Sequence, residues 1–491
     1  MGKLLLGIYK KMKKAEIFIL ITIFIAGFVL RLYKFNNPVA DWHSWRQADT
    51  SAVSRNFIKY GFDVLYPRFD DLSNVPSNYF DNPNGYRFVE FPIYNVAQAG
   101  LFKLFGYFTI EQWGRLVSFF SSLLASFFLY LIVKKHQSTL AGLLAFFFFT
   151  LLPYNIYYGR TILPDAMMLT TLLGGIYFFD LWLEKDKRIR IYDFRFILSL
   201  IFIIVAVLLK PFTLFFTLPI IYLAISKFGF SFLKKWQFWL FLIISVLPFI
   251  LWRIWMLPYP EGIPRSDWLF NAGHIRFKGA FFSWIFEKRI SILILGSWGL
   301  PLFILGLLHK IKIKDYLFFL SFLISSLLYI FVIAGGNVQH DYYQIPIIPS
   351  LIIFLALGSE YLLKLNTSFL RKSAGILIFV ICSLFMLAFS WLSIRAYYNI
   401  NNPAIVRAGQ AVNSLIPPNA KVIAPYDGDT SFLYQINRQG WASFEKELPK
   451  MIKMGADFLV IVNPTGHDVG KTYKIISFTD DYILVDLHQK P

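Results

Sequence analysis

Five short strings hold the side chains that could do chemistry. The first is Asp41-Trp42-His43-Ser44-Trp45-Arg46-Gln47-Ala48-Asp49-Thr50, running on to Ser54-Arg55-Asn56-Phe57. The second is Arg87-Phe88-Val89-Glu90-Phe91-Pro92, and the third Tyr157-Tyr158-Gly159-Arg160 followed by Leu163-Pro164-Asp165. The fourth is Lys210-Pro211, and the fifth runs Asn337-Val338-Gln339-His340-Asp341-Tyr342-Tyr343 to Pro346 and Pro349. A carboxylate can take a proton from a hydroxyl or orient a sugar. Arg and Lys hold phosphate, Arg through a planar fork and Lys as a point charge. Tyr adds hydrogen bonds where an apolar body meets a wet rim. The His and Asp residues form no tight ligand pattern, so no cofactor is required; a divalent metal is possible but not indicated.

These strings sit in an unusual setting. Of 491 residues, 57% are hydrophobic, 19% aromatic and only 16% charged, with 54 Phe. A soluble enzyme of this length would carry about a quarter charged residues, and a disordered chain would be poor in such side chains. The composition is that of a polytopic helical membrane protein. The net charge of +19 would suggest nucleic acid in a soluble protein. Here it is the excess of Lys and Arg that cytoplasmic loops collect, and no nucleic-acid partner is expected. The lone cysteine, Cys382, rules out a disulfide framework within one chain.

Apolar runs lie near 16–33, 115–133, 139–157, 166–183, 194–209, 211–226, 237–257, 291–308, 316–334, 343–362 and 373–394. The first follows Lys10, Lys11, Lys13 and Lys14 and reads as an uncleaved signal anchor. The run 91–106 holds Asn95, Gln98 and Lys103 and reads as a helix lying at the membrane surface. If it does not cross, the clusters Lys134/Lys135, Lys185/Lys187/Arg188/Arg190, Lys227/Lys234/Lys235, Lys310/Lys312/Lys314 and Lys364/Arg371/Lys372 all fall on the cytoplasmic side. The expectation is therefore about eleven spans in the plasma membrane, N-terminus inside. All five polar strings then face outward. Residues 1–395 form the membrane domain, with 34–112 as its first external loop. Residues 396–491 return to ordinary composition and read as a small extracytoplasmic α/β domain. Its expected helices are 404–416 and 443–454; its expected strands are Lys421–Ala424, Asp457–Val462 and Tyr482–Leu487.

The order of these strings resembles the GT-C superfamily of glycosyltransferases, and within it the bacterial and archaeal relatives of protein O-mannosyltransferases and lipid A aminoarabinose transferases. The matching features are an acidic residue soon after the first span (Asp41), a Glu-x-Pro element closing that loop (Glu90-Phe91-Pro92), and an acidic residue in the next outer turn (Asp165). A basic residue opening a later span (Lys210) and a Tyr-and-Pro element (His340–Pro349) complete the set, which covers about 1–365. The Asp-Glu pair usual in the first loop is absent, and Asp49 is a second candidate for the role of Asp41. The resemblance implies a GT-C fold and transfer of a sugar from a polyprenyl-phosphate carrier to an envelope lipid, glycan or protein, with inversion. It implies Asp41 or Asp49 as general base and Asp165 as a group orienting the acceptor. Arg160, Lys210, His340, Tyr342 and Tyr343 would hold the carrier phosphate with the Glu90 region, and His43, Arg46 and Gln47 would contact substrate.

Each residue also has a plainer reading. Asp41 could cap a helix over 42–58, and Asp165 the 166–183 span. Arg46 could meet lipid headgroups, Arg160 could snorkel, Lys210-Pro211 could be a mere span boundary, and His340 with its tyrosines an aromatic belt. The alternative class is a flippase or transporter of a lipid-linked precursor, which would bury ionisable groups at mid-membrane. Here the charges inside apolar runs, Arg115, Arg253, Glu360 and Arg395, lie near span ends.

Overall fold

A computed structural model describes residues 13–185, 190–365, 369–464 and 468–491. Lys10, Lys11, Lys187, Arg188 and His467 lie outside the described residues. The apolar runs all become helix, because they hold too few polar side chains to satisfy a backbone in any other way inside lipid. Among the described residues, seven helices are long and apolar enough to cross a membrane: Ile110–His136, Asp165–Glu184, Pro211–Lys234, Trp236–Met256, Ile313–Val332, Asp341–Leu363 and Phe369–Leu415. A bent pair makes eight if it counts as one span. Thr139–Leu151 and Phe194–Leu209 are apolar but shorter. Lys14–Arg31 covers the first run and carries Glu16 and Arg31 inward.

Two runs depart from expectation. The 291–308 run is not one straight span: Gly279–Ile294 and Gly299–Leu308 meet at 110°. Between them Gly296 and Ser297 both take positive φ, and a Cβ on Gly296 would lie 2.3 Å from the Met386 carbonyl oxygen. The residues before the bend, Ser283–Ile294, wind as a π-helix, a form that recurs at functional sites. The 139–157 run divides at Pro153, where a short helix Pro153–Tyr158 begins. Close packing holds the bundle where small residues let backbones meet. A Cβ on Gly306 would fall 1.8 Å from Phe354 O, and one on Gly358 would fall 1.9 Å from Leu302 O, so helices Gly299–Leu308 and Ile348–Leu363 cross there.

Charged groups gather at the two ends of the bundle. At one end Glu16 pairs with Lys134, His136 bridges Asp180 (2.9 Å) and Asp315 (2.8 Å), and Glu360 pairs with Lys364 (2.5 Å). The five polar strings gather at the opposite end. There the 91–106 run forms a helix, Ile93–Phe105, with Tyr94, Asn95, Gln98 and Ala99 buried.

The C-terminal unit begins with helix Pro403–Leu415 and carries a five-stranded mixed sheet. Its strands are β1 Val422–Ile423, β2 Gly440–Trp441, β3 Phe458–Val462, β4 Lys474–Phe478 and β5 Tyr482–Asp486, in the order β2-β1-β3-β5-β4. β1 pairs parallel with β2 and β3, and β5 runs antiparallel to β3 and β4. Helix Leu448–Lys453 covers only half of the expected 443–454, and helix Ser431–Ile436, β2 and β4 were not anticipated. The outer loop extends this sheet. Leu72 N–H donates to Gly440 O (2.6 Å) and Gly440 N–H to Asp70 O (2.9 Å), so residues 70–72 lie against β2 as an added edge.

Candidate active site

The helix expected over 42–58 forms two residues later, and Asp41 does not cap it. The helix is Ser44–Tyr60, and the residue before it, His43, has φ 54°. That left-handed turn, uncommon for a residue with a Cβ, sends Asp41 and the first helical turn in different directions. Arg46, Asp49 and Thr50, three and four residues apart, share one helix face. They line a small, tight pocket with Arg87, Glu90 and Tyr94.

Charge in this pocket is paired but crowded. Arg46 donates through Nη2 to Glu90 and through Nη1 to Thr50 Oγ1 (3.1 Å). Arg87 donates to Asp49 Oδ2 (2.6 Å), and Asp49 Oδ1 accepts from Thr430 Oγ1 (2.7 Å). Lys210 closes the far side: its Nζ lies 3.4 Å from Glu90 Oε1 and 3.5 Å from Asp165 Oδ2. Lys210 stands where helix Phe194–Leu209 ends, because Pro211 has no N–H to continue it. Phe91 N–H donates to Leu208 O (3.1 Å), which fastens the Glu90-Phe91-Pro92 element to the same helix end. Asp165 is the first residue of helix Asp165–Lys185, where a carboxylate suits the helix dipole. The rings of Tyr342 and Tyr343 lie 5.8 and 6.0 Å from Lys210 Nζ, within cation–π range. Burial alone would raise the Glu90 carboxyl, but Arg46 and Lys210 hold it down at about 2, so it is anionic at any working pH.

Asp41 stands apart from that pocket. Its Oδ1 accepts from Gln47 Nε2 (2.8 Å) and its Oδ2 from Arg160. Arg160 also donates to Lys34 O (2.6 Å), and Ile162 N–H donates to Gln47 Oε1 (3.2 Å). The Asp41 side chain is 0% exposed, so no acceptor reaches it without displacing one of these partners. The trio Asp41, Gln47 and Arg160 is thus a joint between the 34–112 segment and the turn at 158–165.

A second polar centre adjoins the tyrosines. Asp341, which sequence reasoning quoted but did not select, accepts from five side chains. They are Trp42 Nε1 (3.1 Å), His43 Nε2 (2.6 Å), Arg289 Nη1 (3.2 Å) and the hydroxyls of Tyr158 and Tyr397. His340 packs its ring on Tyr342 (centroids 5.4 Å apart, 16° between planes) and edge-on to His43. Arg289 reaches Asp341 from the π-helical turn, which no hydropathy pattern announces. Arg87 and Thr430 were also missed. The signal for Asp341 was a carboxylate next to paired tyrosines at the mouth of an apolar run; Thr430 left none. Among the described residues, no three of His, Cys, Asp and Glu converge in a way that could hold a metal ion.

Comparison with known proteins bears on the fold. Residues 89–255 match the profile of the family described as dolichyl-phosphate-mannose-protein mannosyltransferase. No curated protein sequence matches the chain. Among solved structures, ArnT from Cupriavidus metallidurans in the apo state is similar over 96% of this chain and 99% of its own, with TM-score 0.67 at 12% identity. The same protein bound to undecaprenyl phosphate gives TM-score 0.65 at 12% identity, over 96% of this chain and 99% of its own. The archaeal oligosaccharyltransferase AglB from Archaeoglobus fulgidus, in complex with an inhibitory peptide and a dolichol-phosphate, gives 0.56 at 10% identity, over 90% of this chain and 69% of its own. The chain therefore has the GT-C fold that these structures share.

Proposed function

We propose that this protein is an integral-membrane glycosyltransferase that moves a sugar from a polyprenyl-phosphate carrier to an envelope lipid, glycan or protein. The reaction is a single displacement at the anomeric carbon, with inversion. The acceptor oxygen attacks C1, the C1–O bond to the carrier breaks, and its electron pair leaves with the phosphate. The observation that carries the reading is Lys210, held between Glu90 and Asp165 beside Arg46 at one end of the bundle. Its ammonium sits 3.4–3.5 Å from both carboxylates rather than bonded tightly to either, so it can turn to a phosphate that arrives from the membrane. Arg46 and Arg87 add two forked cations to the pocket wall. Together they would stabilise the charge that develops on the leaving phosphate. Tyr342, Tyr343 and His340 form the aromatic wall behind it, and Asp165 would orient the acceptor hydroxyl. Asp41 and Asp49 are the sequence's candidates for the base. In this arrangement Asp41 positions Gln47 and Arg160, and Asp49 positions Arg87.

The same reading places the protein in the plasma membrane as a multi-pass protein. The pocket end and the C-terminal unit face outward, and the lysine-rich end faces the cytoplasm. The domain division at about 395 belongs to the same proposal.

The test is transfer by purified full-length protein in detergent, given synthetic undecaprenyl-phosphate sugars and host membrane extract as acceptor. Labelled sugar appearing on an acceptor, with undecaprenyl phosphate released, supports the enzyme. Movement of lipid-linked sugars across liposomes without donor cleavage would replace it with a flippase.

A further inference from the structure

We infer that His43, oriented by Asp341, takes the proton from the acceptor hydroxyl. The inference rests on the glycosyl-transfer reading above and assigns the step which that reading leaves open.

Asp341 has only donors around it. The indole of Trp42 and the guanidinium of Arg289 have no acceptor to offer. Asp341 is therefore a carboxylate, and the contact from His43 Nε2 at 2.6 Å is an N–H donated to Oδ1. That tautomer puts the lone pair of the imidazole on Nδ1. Among the described residues nothing bonds Nδ1, and the His43 side chain is 11% exposed where Asp41 is 0%. A nitrogen base with a carboxylate behind it and a free lone pair in front is the arrangement that general-base catalysis needs.

Position supports the role. The His43 ring lies 5.2 Å from the Tyr342 ring, whose centre is 5.8 Å from Lys210 Nζ. Base and phosphate cation thus both pack against the Tyr342 side chain. The left-handed backbone at His43 sets it ahead of the helix whose next turn carries Arg46 and Asp49. Backbone held in a sparsely populated conformation is a mark of functional sites.

The step balances. The acceptor O–H bond breaks and its proton goes to Nδ1. The freed oxygen pair forms the bond to C1, and the C1–O bond pair leaves with the carrier phosphate. The imidazolium that results is neutralised by Asp341, whose other oxygen is held by Arg289 and Tyr397. The titratable and charged groups facing His43 are Asp341 and Arg289 behind it, Tyr342 and His340 beside it, and Arg46 one turn along. Burial, with His43 alongside, pushes the His340 imidazole down to about 4, so it stays neutral and adds no competing charge.

The experiment follows kcat against pH for the full-length protein, using whichever undecaprenyl-phosphate sugar the wild type accepts. It compares His43→Gln, His43→Ala with and without added imidazole, and Asp341→Asn. Undecaprenyl phosphate binding is measured on each variant. His43→Gln is expected to lose about 10²–10⁴-fold in kcat while keeping undecaprenyl phosphate affinity. Imidazole should restore part of the His43→Ala rate. Wild-type kcat should fall on acidification, as protonation removes the Nδ1 lone pair, and Asp341→Asn should move that limb. An active wild type with an equally active His43→Gln and the same pH profile would overturn the assignment alone. So would His43 variants that lose undecaprenyl phosphate binding and show no imidazole rescue, since that is a structural role. A wild type that transfers no sugar from any donor overturns the glycosyl-transfer reading and this one with it.

Discussion

Thr430, in the C-terminal unit, donates a hydrogen bond of 2.7 Å to Asp49, on helix Ser44–Tyr60. The bond joins a segment with no catalytic look to a carboxylate in the pocket wall. It fixes the oxygen of Asp49 that Arg87 does not use. A hydrogen bond to a charged group contributes about 1.5–3 kcal/mol. Thr430→Val should therefore slow sugar transfer about tenfold or more without changing undecaprenyl phosphate affinity, and Thr430→Ser should recover most of the rate. Steady-state kinetics with a parallel binding assay separates the two.

Lys210 is expected to serve both binding and stability. Removing its charge leaves Glu90 and Asp165 buried without the cation between them, with Arg46 still paired to Glu90. Lys210→Met should weaken undecaprenyl phosphate binding by roughly tenfold or more and lower the melting temperature. Lys210→Arg should recover much of both. Isothermal titration and thermal melting in the same detergent would show it.

Asp41 behaves differently on this geometry. Asp41→Asn leaves the Arg160 guanidinium buried without a carboxylate partner, a change that costs about 3–5 kcal/mol. The variant should melt earlier, and the double variant Asp41→Asn/Arg160→Gln should melt later than Asp41→Asn alone. A single variant with wild-type melting temperature but no transfer would return the base to Asp41.

Asp71 carries a pH signature in stability. It is buried beside the sheet edge, and burial, reinforced by Asp49 and Glu445, pushes its carboxyl up to about 7. The folded state then binds a proton that the unfolded chain releases near 4. Its contribution to stability is full below about 4 and lost as pH rises through 7. Asp71→Asn should thus raise stability at pH 8 by roughly 1–3 kcal/mol, and the gain should vanish near pH 4. Melting curves at the two pH values test the sign.

The membrane body was legible because lipid leaves the backbone few choices. Each apolar run became helix, and the polar strings at the run ends came together at one end of the bundle. The exception at 291–308 turns on Gly296 and Ser297, whose positive φ breaks a run that composition alone cannot distinguish from a straight span. Asp165 and Lys210 each sit beside a proline, and Glu90 two residues before one, at points where a helix starts or ends, so sequence could single them out as neighbours of helix ends. Partner choice was not readable. Asp41 meets Arg160, and His43 meets Asp341, across more than a hundred residues, and no local pattern announces either pairing. Thr430 reaches its place only through the packing of the sheet unit, which local pattern in a short polar segment does not encode.

The edge that residues 70–72 add beside Gly440 also sets an order on biosynthesis. The outer loop emerges early, and its partner strand emerges hundreds of residues later, after every apolar helix has been inserted. Until then Asp49 has no Thr430 and the loop has no sheet to lie on. A ribosome that stops short of β2 would release a fully inserted bundle whose pocket wall was never closed, so the pocket is finished only when synthesis is.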